Sequence, residues 1–243
     1  MRFDEHGDGA PTLVLLHGMA STGRVWDLVV ERLAWPGRIV VPDLPGHGRS
    51  RPSPPYSFGS MAADVAAVVG RDSEVVAVGH SLGGVVALAL GSGWFGCPVR
   101  TVVAMSVKVR WSPEDLARAA AIASRPVTWF DDESAAVDRA LRVAGLAGLV
   151  DPSSPMATAG VVADGCRFRL AHDPATADLG APDIAGLVAA CRARVVLGCG
   201  SEDPMVGHAE LVGFDPAAFV LEGIGHNAHV EAPDLVAGVI TAL

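Results

Sequence analysis

Apolar residues along this chain come in short unbroken runs, with Gly or Pro punctuation between them: Leu13 to Leu16, Arg38 to Val41, Val75 to Val78, Thr101 to Met105, Val195 to Cys199 and Ala218 to Leu221. A strand with one wet face alternates polar and apolar side chains, and a strand covered on both faces does not. The runs therefore predict the buried strands of a parallel sheet. Between several of them apolar positions recur at helical spacing, in Gly23 to Ala34 (Val25, Leu28, Val29 and Leu33 on one face), Ser60 to Val69, Leu82 to Leu90 and Pro233 to Leu243. Strand and helix in alternation imply right-handed crossovers. The expected fold class is thus α/β, a doubly wound, mostly parallel sheet of about seven strands flanked by helices.

The alternation lapses between about Ser106 and Asp178. Ser112-Pro113-Glu114-Asp115 is a helix start, with a Ser cap, Pro in the first turn and acids at the positive end of the dipole. A helix to about Ala123 is expected, then one over Ser134 to Val143 and a third over Met156 to Leu170, interrupted by Gly160 and Gly165. No run of clear strand character occurs here. The expected division is a core of residues 1–105 and 179–243 with a helical cap, 106–178, inserted over the sheet.

Composition narrows the class. The chain has 243 residues, 50% of them hydrophobic and 19% charged, too apolar for a disordered protein. Its 18 Lys+Arg against 27 Asp+Glu give a net charge of −9 with no basic run, so no nucleic-acid partner is expected. Val75 to Val99 carries no charged residue and is long enough to span a bilayer, but Gly79-His80-Ser81 and Gly91-Ser92-Gly93 break it into a buried strand and a buried helix. With no signal-peptide pattern at Met1 to His6, a soluble cytoplasmic protein is expected. Cys97, Cys166, Cys191 and Cys199 lack CxxC spacing and read as reduced, mostly core thiols. Abundant Ala and Gly with scarce Lys, Lys108 standing isolated, suggest a high-GC bacterial source.

Gly79-His80-Ser81-Leu82-Gly83 fits G-x-S-x-G between a buried strand and a helix. A serine on such a turn leaves no room for side chains two residues before and after it, which requires both glycines and lifts the hydroxyl above the sheet. His17-Gly18-Met19-Ala20 ends the first strong strand, and its Gly lets the loop approach the turn, so that the N–H groups of Met19 and Leu82 can form an oxyanion hole.

A nucleophilic serine needs a base, and the base an orienting acid. His226 lies in the loop Gly223 to Asn227, at the sheet edge where the Ser81 turn must also lie, with His229 as its rival. Asp203, in Gly200-Ser201-Glu202-Asp203-Pro204, follows another strand and completes the chain order Ser, Asp, His; Glu202 is its alternative. No H-E-x-x-H, paired His or carboxylate cluster occurs, so no metal and no cofactor are expected. In the cap, Trp111, Trp129 and Phe130, with Met105 and His17 nearby, are candidates for lining an apolar substrate pocket.

Together with Leu15-Leu16-His17-Gly18, Trp26, Asp43-Leu44-Pro45-Gly46-His47-Gly48-Arg49-Ser50 and Gly225 to Pro233, these motifs resemble the α/β-hydrolase superfamily over nearly the whole chain. The resemblance implies Ser81 as nucleophile, His226 as base and Asp203 as acid, with Asp43 to Ser50 a structural loop near the site. It implies cleavage of a small carboxylic ester or lactone with an apolar part, by a monomer or homodimer. Carbon-carbon bond hydrolases keep the same triad, and a non-catalytic ligand receptor is the alternative from another class. One departure stands out: family members usually carry two strands before the His-Gly strand, and Arg2 to Glu5 can make at most one.

Overall fold

A computed structural model describes residues 1–243. Ten strands form, in chain order β1 (Arg2–His6), β2 (Thr12–Leu16), β3 (Ile39–Asp43), β4 (Val75–His80), β5 (Val99–Met105), β6 (Trp129–Phe130), β7 (Val161–Asp164), β8 (Arg167–Leu170), β9 (Arg194–Gly200) and β10 (Phe219–Leu221). Seven make the central sheet in the order β1-β3-β2-β4-β5-β9-β10. Every pairing in it is parallel except β1 with β3, where Arg2 stands opposite Asp43 and His6 opposite Ile39. The six expected runs all fall in this sheet, and β1 is the single strand that precedes β2.

Successive side chains of the central strands enter different apolar layers. Leu13, Leu15, Val76, Val78, Val103 and Met105 pack on one side, and Val14, Leu16, Val75, Ala77, Val102 and Ala104 on the other. Burying each larger aliphatic side chain contributes about 1.5–3 kcal/mol, and the buried polar residues of these strands are few: Thr12, Asp43 and His80 at strand ends, and Thr101. The charge-free stretch resolves into β4 and the helix Leu82–Gly91, all ten of whose residues are buried. No helix is long and apolar enough to cross a membrane.

Two expected helices differ in the structure. Gly23 to Ala34 is a 3-10 turn, Gly23–Trp26, followed by a four-residue helix, Asp27–Val30, because Gly23 is drawn in by its N–H bond to the Asp43 carboxylate. The stretch from Met156 to Leu170 is only briefly helical, over Pro155–Thr158, and then forms the antiparallel hairpin β7-β8. Gly165, at φ 61°, opens its two-residue turn, a conformation that costs glycine nothing. With β6 paired to β8, a three-stranded sheet sits among the helices Pro113–Ala123 and Glu133–Val143, so the segment expected to be all helical is mixed. It is stitched to the core where Gly48 N donates to Ala171 O (2.6 Å), Asp173 N to Gly46 O (2.8 Å) and the Tyr56 hydroxyl to the Asp173 carboxylate (2.8 Å). Three of the cysteines are buried or half-buried, and Cys166 is exposed on the hairpin turn.

Candidate active site

β4 ends at His80, and the helix Leu82–Gly91 begins two residues later, so Ser81 alone makes the turn. It does so at φ 51° and ψ −114°, a conformation unfavourable for a residue with a side chain. Its N–H donates to Met105 O (2.8 Å) on the neighbouring strand, and its carbonyl accepts from Gly84 N (3.0 Å) and Val85 N (3.2 Å). A Cβ at Gly79 would collide with the backbone of Gly83, and one at Gly83 with the carbonyls of Leu16 and His17. A Cβ at Gly18 would stand 2.7 Å from His80 Nδ1 and 3.5 Å from Ser81 Cβ, so the Met19 loop reaches the turn only because Gly18 lacks one. The amides of Met19 and Leu82 donate to no protein acceptor, and both residues line the cavity onto which Ser81 opens. They are free donors beside the hydroxyl.

The other half is built where β9 ends. A Cβ at Gly200 would collide with the carbonyls of Ile224 and Gly225, and Glu202 N donates to Ile224 O (2.9 Å), which joins the two loops. The Glu231 carboxylate accepts from Gly225 N (2.8 Å) and Asn227 N (2.9 Å), holding the backbone on both sides of His226. His226 Nδ1–H donates to Asp203 Oδ2 at 2.9 Å and Oδ1 at 3.0 Å. That bond leaves Nε2 as the basic nitrogen. The Asp203 side chain is fully buried. Burial opposes its ionisation, but the bond and charge of His226 and the Met205 amide (2.9 Å) outweigh it and hold the carboxyl below its usual range. The buried Ser106 hydroxyl makes no well-formed hydrogen bond, yet it lies close enough to add a little to the same effect. Glu202 is exposed and does not reach His226. The structure thus brings Asp203 and His226 together; Ser81 Oγ makes no hydrogen bond to His226.

The remaining imidazoles support this arrangement. His80 points away from the cavity, and its Nε2–H donates to the carbonyl of His226 (2.9 Å). His229 packs between the rings of Trp26 (4.6 Å) and His80 (4.5 Å), and burial drives it down to about 3, so it stays neutral. The Asp43 to Ser50 loop closes on itself: the buried Asp43 carboxylate accepts from Gly23 N (2.8 Å), Arg49 N (3.0 Å) and Arg49 Nε (2.8 Å). Ser106, at φ 54° on the end of β5, and His80 as a brace on the base loop were not singled out from sequence; only their places at the ends of β5 and β4 could have marked them.

Ser81, Met19 and Leu82 open onto a cavity of about 570 Å³ with Phe58, Val85, Ile122, Leu179 and Trp111 among its apolar walls. Of the five candidates for lining a substrate pocket, the structure places only Trp111 there. Met105 is buried beneath the sheet in the opposite apolar layer. His17 is fully buried, its Nδ1–H bonded to Gly18 O (2.8 Å) and its Nε2 accepting from Leu44 N (2.9 Å), so it braces the loop. Trp129 and Phe130 are in β6, opposite Arg169 and Phe168 of β8, with the Arg167 guanidinium 5.2 Å from the Trp129 ring. Their aromatic area consolidates the small sheet. Lys108, Asp115 and Arg118 line the cavity instead.

Comparison with known proteins places the fold and the family. The chain shares 36% identity over 95 residues with the lipase LipV of Mycobacterium tuberculosis, covering 38% of this chain and 36% of that one. It shares 45% identity over 89 residues with a pimeloyl-[acyl-carrier protein] methyl ester esterase of Xanthomonas oryzae pv. oryzae, covering 36% and 34% of the two chains. These matches span about a third of the length of each relative. Among solved structures, E-2-(acetamidomethylene)succinate hydrolase superposes with a TM-score of 0.81 at 22% identity, over 99% of this chain and 94% of the other, a likeness of fold. The profile of the alpha/beta hydrolase family matches residues 13–239, nearly the full chain from β2 to the last helix, and the protein belongs to that family.

Proposed function

We propose that this protein is a serine hydrolase that cleaves a carboxylic ester or lactone through an acyl-enzyme on Ser81. The observation that carries the reading is the His226–Asp203 pair: a buried, ionised carboxylate accepts the Nδ1–H hydrogen bond and so turns a basic Nε2 to the sheet edge where the strained Ser81 turn opens onto an apolar cavity. Ser81 Oγ attacks the carbonyl carbon while His226 Nε2 takes its proton, and the oxygen that gains charge is received by the amides of Met19 and Leu82. Collapse breaks the bond to the leaving alkoxide, which takes the proton back from Nε2–H. Water, deprotonated by the same nitrogen, then attacks the acyl carbon, and Ser81 Oγ leaves with the proton returned from Nε2–H, releasing the acid and restoring the enzyme. The names of the lipase and esterase relatives favour ester cleavage.

A hydrolase panel of esters, lactones, thioesters and β-diketones, run beside Ser81→Ala, tests the assignment. Turnover of an ester by the wild type, abolished in Ser81→Ala, is expected, together with covalent labelling of Ser81 by a fluorophosphonate. Unchanged ester cleavage by Ser81→Ala would refute it.

A further inference from the structure

Seventeen of the 18 basic residues are Arg, and the one Lys, Lys108, lines the cavity that holds Ser81. It leaves the core three residues beyond the end of β5, the strand next to the Ser81 turn. Its ammonium stands 2.7 Å from Asp115 Oδ2 and 5.0 Å from the centre of the Trp111 ring, whose Nε1–H donates to the Lys108 carbonyl (3.1 Å). Asp115 also serves the helix below it, accepting from Ser112 N (3.1 Å) in the cap of Pro113–Ala123. One turn further, Arg118 lines the same cavity and has neither an ion-pair nor a hydrogen-bond partner. Asp115 is the sole acid on the cavity wall, so two cations face one carboxylate there, a local excess of positive charge in a chain of net charge −9.

We infer that Lys108 and Arg118 form an anion subsite, and that the favoured substrates are esters carrying a carboxylate at the far end of an apolar acyl chain. The inference rests on the hydrolase reading and specifies its substrate class. With the ester at Ser81, apolar methylenes lie along Trp111 and Ile122 and the distal carboxylate completes the charge balance that Asp115 half fills. The Lys108–Asp115 pair is partly exposed and contributes little by itself to stability, so its ammonium can take a second acceptor at small cost. A charge-assisted hydrogen bond from these cations favours the anionic ester by about tenfold to a hundredfold.

The test compares mono-p-nitrophenyl adipate with its uncharged isostere, p-nitrophenyl 6-methylheptanoate, as the ratio of their kcat/KM values. The wild type is expected to prefer the carboxylate ester. Lys108→Met with Arg118→Met should lower the ratio by about tenfold to a hundredfold, through KM, each single variant by less, and Lys108→Arg should retain most of it. Arg118→Gln, on an exposed helix face, keeps the comparison available if Lys108→Met does not fold. A ratio unchanged in the double variant, with the neutral ester still cleaved through Ser81, overturns the subsite and leaves the hydrolase reading standing. Calorimetric titration of the wild type with monomethyl adipate separates the converse case. If no ester is turned over, binding that is lost in the double variant supports the subsite while the hydrolase reading fails, and absence of wild-type binding overturns the subsite.

Discussion

The edge of the sheet and the wall of the cap both face Ser81, and they are held in opposite ways. At the edge, Gly79, Gly83 and Gly200 let backbones approach at distances that admit no Cβ, and Gly18 lies as closely against the His80 ring, so each chemical group hangs from close-packed chain. The wall over the cavity is the helix Pro113–Ala123, none of whose residues is buried. Its neighbour Glu133–Val143 has the same length and a similar Ser or Asp cap, yet buries Ala136, Val137, Ala140 and Leu141 against the core. Reaction geometry is therefore fixed by many contacts, and the surface that meets the rest of the substrate by few. Changes at the edge should lower the rate for all substrates alike, and changes in the wall should alter which substrate is preferred.

The comparison is tested most severely at the edge. Ser81→Ala should lower kcat by about 10⁶-fold for every ester tried, measured by initial rates with active-site titration. Asp203→Asn should cost about 10⁴-fold by turning the wrong face of His226 to the serine, again without changing substrate order. Glu202→Gln should fall within about twofold of wild type in the same assay, since its side chain is exposed.

Smaller effects separate the two cap helices. Leu141→Ala should destabilise the fold by about 2–5 kcal/mol in urea unfolding, because Leu141 is 5% exposed within a core layer. Leu116→Ala, on the helix with no buried residue, should cost less than about 1 kcal/mol, and equal losses would contradict the division drawn above.

Acid probes the buried imidazoles. His47, His80 and His229 are held neutral by burial, well below their ordinary value of 6.5, and His229 down to about 3. Below 6.5 the unfolded chain binds protons at these positions and the folded chain does not. Stability should then fall with pH, by about 1 kcal/mol per unit for each such histidine, until the folded values are reached. Asp203 acts in the same direction lower down: its stabilisation is complete above 3.8 and is lost as pH falls through its depressed folded value. Tm measured from pH 7.5 to 4.5 should decline once pH falls through about 6.5; a flat profile would contradict the buried neutral imidazoles.

The sheet and the chemical groups were readable because each leaves a local trace. Strands buried on both faces carry few polar residues, which leaves continuous apolar runs, and a serine turn without room for neighbouring side chains demands Gly79 and Gly83. The Asp203 and His226 loops could be placed because a parallel sheet gathers the C-terminal ends of its strands on one edge. Strands of two to four residues, such as β6 and β7, are too short to show a period, so Gly165 was taken for an interruption of a helix when it is the turn of a hairpin. Aromatic content in the cap says nothing about direction, and Trp129 and Phe130 turn to their own sheet while Trp111 turns to the cavity. Lys108 stands out in the sequence only as an isolated Lys, and the path of the chain after β5 brings it to the cavity that holds Ser81.

The position of Lys108 also governs how the protein can be handled. Amine-directed reagents find two targets in this chain, the amino terminus and this single ε-amine. Attachment to an activated-ester support, or modification with an amine-reactive dye, would therefore divide the molecules between tethering at the amino terminus and obstruction of the cavity that Lys108 lines. Pre-loading with a carboxylate ligand should shift that division toward the terminus. Immobilised activity would then report on the occupancy of the cavity at the moment of coupling.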